Sequence, residues 1–100
     1  MNLRQSLATA IKTVRKHRGL TQEDFGVVSS RTYLSTLERG LKSPTLDKLE
    51  DIATVLDIHP ATIILLAYAI QAQPQCQEEL IKEIAEEAIR LSINFERPVP

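Results

Sequence analysis

Gly19-Leu20-Thr21-Gln22-Glu23-Asp24-Phe25, followed by Ser29-Ser30-Arg31-Thr32-Tyr33-Leu34-Ser35-Thr36-Leu37-Glu38-Arg39-Gly40, is the stretch on which the fold turns. Thr21 is a good helix N-cap, and Gln22, Glu23 and Asp24 fill a first turn whose positive end favours acids. Phe25 points inward. Gly26 and the β-branched Val27 and Val28 stop this helix early. Ser29 or Ser30 then caps another short helix, Leu34 and Leu37 take its inward side, and Gly40 ends it. The result is two short helices joined by a tight turn. The outward edge of the later one carries Ser30, Arg31, Thr32, Ser35 and Thr36, which are small hydroxyls and one planar guanidinium.

Before this pair, Leu3, Leu7, Ala10, Ile11 and Val14 recur at helical spacing. Asn2 can cap that first helix, about residues 3–18, and Gly19 can end it. After the pair, Leu41-Lys42-Ser43-Pro44 links to a fourth helix, about Thr45 to Leu56, with Leu46, Leu49, Ile52, Ala53 and Leu56 as its stripe. A fifth, about Pro60 to Ala72, is apolar nearly all round, the pattern of a helix buried on more than one side. A sixth, about Gln75 to Ser92, pairs the stripe Leu80, Ile84, Ala88 and Leu91 with a glutamate-rich side, and runs near 25 Å. The reading is an all-α chain: a five-helix domain over residues 1–73, an additional C-terminal helix over 74–92, and a flexible tail over 93–100.

At 100 residues the chain has room for one core. It is 43% hydrophobic and 25% charged with no tryptophan, which suits packed helices rich in Leu, Ile, Val and Ala. The net charge of −1 hides an asymmetry. Residues 1–42 hold eight Lys/Arg against three acids, and residues 43–100 hold four against ten. A polyanion responds to the local patch, so the N-terminal half is the side that can receive one. Chance segregation on a solvated surface gives the same count. Cys76 is the single cysteine, too few for a disulfide or a four-cysteine zinc site within one chain. The longest apolar run, Ile63 to Ile70, is eight residues, against roughly 20 for a membrane span. With no signal-peptide pattern, a reducing cytoplasm is the expected compartment.

Roughly residues 3–70 resemble the Cro/C1-type helix-turn-helix domain, also called the xenobiotic-response-element (XRE) family of bacterial and phage regulators. The resemblance is carried by Arg15 with Gly19-Leu20-Thr21-Gln22-Glu23, by Ser30-Arg31-Thr32-Tyr33-Leu34-Ser35, by Leu37-Glu38-Arg39-Gly40, by Ser43-Pro44-Thr45-Leu46, and by Leu49, Ile52, Ala53 and Leu56. It implies a lambda-repressor-like five-helix domain that binds double-stranded operator DNA, usually as a two-fold dimer. The family pattern has a slightly longer spacing between the glutamine and the later helix. Gly26 to Ser29 therefore compress the second helix here.

The major groove accepts one α-helix with its N-terminal residues at the base edges. By resemblance, Arg31, Thr32 and Thr36 match the base-reading positions, with Ser30 and Ser35 beside them. Arg31 can donate two hydrogen bonds to guanine, or serve only a phosphate. Gln22 matches a phosphate contact at a helix start, with Thr21, Arg18, Tyr33, Arg39 and Lys42 as its neighbours. Arg15 and Glu38 match a pair that ties the first helix to the end of the reading helix.

The surplus apolar surface (Ile63, Leu66 and Ile70, then Leu80, Ile84, Ala88 and Leu91) is the candidate dimer seam. Alternatively the last helix covers its own domain's core. A further alternative follows from antitoxins of the same family: the C-terminal helix and tail would hold a protein partner. His17 and His59 are far apart in sequence and the glutamates have no accompanying pocket pattern, so neither catalysis, metal binding nor a cofactor is expected.

Overall fold

The structure, a computed structural model, describes residues 1–92. The expected tail at 93–100 lies outside them. The described residues form helices and turns only. In order they are α1 (Leu3–His17), a 3-10 turn (Gln22–Phe25), α2 (Arg31–Glu38), α3 (Leu46–Leu56), α4 (Pro60–Gln71), a second 3-10 turn (Pro74–Cys76) and α5 (Gln77–Ser92).

The caps explain most of the boundaries. Asn2 Oδ1 accepts from the Gln5 N–H while Gln5 Oε1 accepts from the Asn2 N–H, a reciprocal box at the start of α1. Ser30 Oγ accepts from the Tyr33 N–H, so Ser30 rather than Ser29 starts α2. Thr45 caps α3 in the same way, and the His59 ring nitrogen caps α4 ahead of Pro60. Gly19 and Gly40 end α1 and α2 at φ of 71° and 73°. After each, an N–H reaches back to the last turn: Leu20 to Arg15 at 3.0 Å and Leu41 to Thr36 at 3.2 Å.

One expected helix is shortened to a single turn. Between Thr21 and Ser30 the chain completes one 3-10 turn, and the Val28 and Ser29 N–H groups then both close on the Phe25 carbonyl. The Ser29 bond spans four residues as in an α-helix, but the compressed spacing does not extend it into one. The candidate reading helix is therefore α2, the second α-helix of the chain rather than the third.

The core gathers Ala10 and Ile11 of α1, Phe25, Leu34 and Leu37 of α2, Leu49, Ile52, Ala53 and Leu56 of α3, and Ile63 and Ala67 of α4. α4 packs most extensively on α1, and α3 and α4 bend by 98° around Asp57 to His59. Leu46, expected on the inward stripe of α3, is 74% exposed. α5 meets α4 along its first half and has no buried residue. Among the described residues no single helix is long and apolar enough to cross a membrane.

Candidate nucleic-acid interface

α2 is eight residues long, too short to stand alone in water. Two attachments hold it. Leu34 and Leu37 are fully buried beneath it. At its C-terminus, Glu38 places a carboxylate where the helix dipole disfavours one. Arg15 of α1 answers that charge with two parallel bonds, Nε to Oε2 at 2.6 Å and Nη2 to Oε1 at 2.9 Å. Arg15 Nη1 donates to the Leu20 carbonyl at 2.9 Å, which ties the turn into the same junction. The Glu38 side chain is only 3% exposed. Its hydrogen bond and charge raise the Arg15 guanidinium above its ordinary value, while burial opposes them. The family pair inferred for Arg15 and Glu38 is thus formed.

Gln22 joins this junction too. Its Nε2 donates to Glu38 Oε1 at 3.2 Å. The side chain expected to meet phosphate is therefore partly engaged, with one amide N–H committed to Glu38.

The outward edge of α2 presents the five candidate base readers. Ser30, Arg31 and Thr32 are exposed, and Ser35 and Thr36 are half-buried. Their remaining chemistry differs. Ser30 uses a lone pair as cap and keeps its hydroxyl hydrogen. Thr36 gives its hydrogen to the Thr32 carbonyl at 2.8 Å, which leaves lone pairs and a methyl. Arg31 Nη1 pairs with Glu23 Oε1 at 3.1 Å, a contact that sequence reading did not anticipate.

The other phosphate candidates do not converge on one place. Thr21 gives both its N–H and its hydroxyl to the Asp24 carboxylate, so no free hydroxyl donor faces an anion. Arg18 Nη2 reaches the Asp57 carbonyl at the C-terminal end of α3, away from the α2–α3 linker. Arg39 borders a shallow concavity with Gln5, Ala8 and Thr9 on the α1 side. Tyr33 and Lys42 do come together, the Lys42 ammonium lying 6.0 Å from the ring centre. Lys48 joins them at 5.3 Å and donates to the Val28 carbonyl. Sequence reading missed Lys48. The available signal was a lysine in the first turn of a helix, where the dipole opposes a cation, so a partner elsewhere was to be sought.

The dimer candidates divide. Ile63 is fully buried in the chain's own core and has no surface to offer, so it leaves the seam. Leu66 and Ile70 are half-buried against the core, Leu80 and Ile84 are half-buried on α5, and Ala88 and Leu91 are exposed.

Residues 11–63 match the helix-turn-helix family pattern, more than half of the chain. The chain is similar to the HTH-type transcriptional regulator y4dJ of Sinorhizobium fredii, at 33% identity over 64% of this chain and 86% of that protein. It is also similar to the immunity repressor protein of Bacillus phage phi105, at 34% identity over 87% of this chain but 62% of the repressor. Among solved structures, the clp gene regulator ClgR of Corynebacterium glutamicum shares its fold, with a TM-score of 0.64 at 23% identity over 99% of this chain and 98% of that one. These relatives are regulators rather than enzymes. With α2 held by Arg15 and Glu38 and its polar edge outward, the chain belongs to the Cro/C1-type helix-turn-helix family of transcriptional regulators.

Proposed function

We propose that this regulator binds double-stranded DNA sequence-specifically, as a dimeric repressor that reads a palindromic operator with α2 in the major groove. One observation carries the reading: Ser30, Arg31 and Thr32 are exposed on a helix whose opposite side is buried and whose end is locked by Arg15 and Glu38. Arg31 reads guanine, and Thr32 and Thr36 offer a hydroxyl oxygen to an amino group or a methyl to thymine. Tyr33, Lys42 and Lys48 lie where the α2–α3 linker enters α3 and supply the phosphate contacts. Repression is supported by the name of the phage relative. The protein acts in the cytoplasm, on the nucleoid.

Selection of duplexes from a random pool tests this directly. Wild type should enrich a two-fold sequence with half-sites about 34 Å apart. Arg31→Ala should bind that sequence about 1–3 kcal/mol more weakly and relax one base position per half-site. Equal losses on enriched and random DNA would rule out base reading by Arg31. Lys42→Ala should lower the salt slope by about one unit on both.

The dimer reading rests on α5. Ile89 and Leu91 are 62% and 56% exposed on a helix without a buried residue. A second copy covers that face. A protein partner of the antitoxin type is the second reading of the same surface, favoured if the full chain sediments as a monomer.

A further inference from the structure

Glu23 lies on the side of the molecule assigned above to DNA, where a carboxylate repels phosphate. It comes from the 3-10 turn, and Arg31 is the first residue of α2. Arg31 Nη1 donates to Glu23 Oε1 at 3.1 Å, with the two side chains 70% and 73% exposed. An ion pair this open contributes little to folding, so the stability of the domain does not account for it. Its consequence is geometric. With Nη1 held, the Nε–Nη2 edge of the guanidinium has no partner among the described residues. That edge carries two parallel N–H donors, the pattern that matches guanine O6 and N7.

We propose that Glu23 is a positioning residue that sets base specificity: it grips Arg31 by Nη1, presents the Nε–Nη2 edge to guanine, and by its charge turns the guanidinium away from phosphate. Without Glu23, Arg31 is a long cation free to settle on the backbone, which increases affinity for any sequence. With it, part of that general affinity is lost and discrimination rises. The inference rests on the base-reading role of Arg31 proposed above.

The test uses the full chain and two duplexes: the one most enriched from a random pool by wild type, and a shuffled duplex of equal length and composition. The measured quantity is the ratio of their dissociation constants. Glu23→Ala should lower the ratio about two- to fivefold, the scale of an exposed ion pair, and should tighten binding to the shuffled duplex. Glu23→Gln keeps an oxygen that can accept from Nη1, so it should recover part of the ratio. Thermal midpoints should match wild type. In an Arg31→Ala background, Glu23→Ala should leave the ratio as it is. Equal tightening on both duplexes, the mark of a bare charge effect, overturns the inference. So does a loss of ratio that persists in the Arg31→Ala background. If Arg31→Ala itself leaves the ratio at the wild-type value, the base-reading role fails and takes the inference with it. If Arg31→Ala lowers the ratio and Glu23→Ala does not, the reading stands and only the role of Glu23 falls.

Discussion

α2 and α5 are the shortest and longest α-helices described, at eight and 16 residues, and they are held in opposite ways. α2 has two fully buried leucines, a Schellman-type ending at Gly40 and a nearly buried ion pair at its last residue. α5 has no buried residue and one exposed ion pair on its own surface, Glu78 with Lys82. Rigidity in this molecule follows attachment rather than length. The element proposed to meet a duplex in one orientation is fixed from below and from its end. The element proposed as the dimer seam keeps Ile89 and Leu91 exposed.

Removing Arg15 should disturb this contrast most. Arg15→Ala leaves the Glu38 carboxylate nearly buried and uncompensated, at a cost of about 3–5 kcal/mol in urea unfolding. The pH dependence has a definite sign. Arg15 is raised above its ordinary value in the fold, so its contribution is complete below the guanidinium pKa of the unfolded chain and is lost only as pH climbs through the folded one. The gap between wild-type and Arg15→Ala unfolding free energies should therefore stay constant from about pH 7 to about pH 9. A gap that closes in that window would mean the pair is not what holds α2.

Gly40→Ala should have a smaller effect. An added Cβ meets Gln5 Cγ at 3.5 Å, an ordinary contact, so the cost is that of the left-handed backbone, about 1–2 kcal/mol. A smaller loss would show that the end of α2 tolerates another conformation.

The α5 face should respond least in folding and most in assembly. Ile89→Ser with Leu91→Ser should change monomer stability by about 0.5 kcal/mol or less, yet shift sedimentation from dimer to monomer. A chain shortened to end at Gln73 should likewise sediment as a monomer. An unchanged dimer in either case would move the seam away from α5.

The same two helices show what was legible beforehand. The ends of α2 were written in Ser30 and Gly40, and its inward side in Leu34 and Leu37, because caps and periodicity are local. The tie between Arg15 and Glu38 was accessible only through family resemblance; no spacing rule places residues 23 positions apart in contact. Periodicity gives the direction a side chain points, and says nothing of how far the core extends along the helix. Leu46 and Leu91 follow their stripes faithfully and are nevertheless exposed. Ile63 was read as surface because α4 is apolar on every side, so its pattern has no preferred face. The pairing of Glu23 with Arg31 and the approach of Lys48 to Tyr33 depend on how the short 3-10 turn and the linker are folded back, which only the assembled chain determines.

The unburied state of α5 has one more effect, on the exchange of amide protons with solvent. Within one chain, opening α5 exposes only the half-buried Leu80, Ile81 and Ile84 and their α4 neighbours, so its backbone can unzip while the rest of the domain stays closed. In the monomeric Ile89→Ser, Leu91→Ser variant, deuterium should enter this long helix first, and the brief stretch from Leu34 to Glu38 should hold its protons until the whole molecule opens.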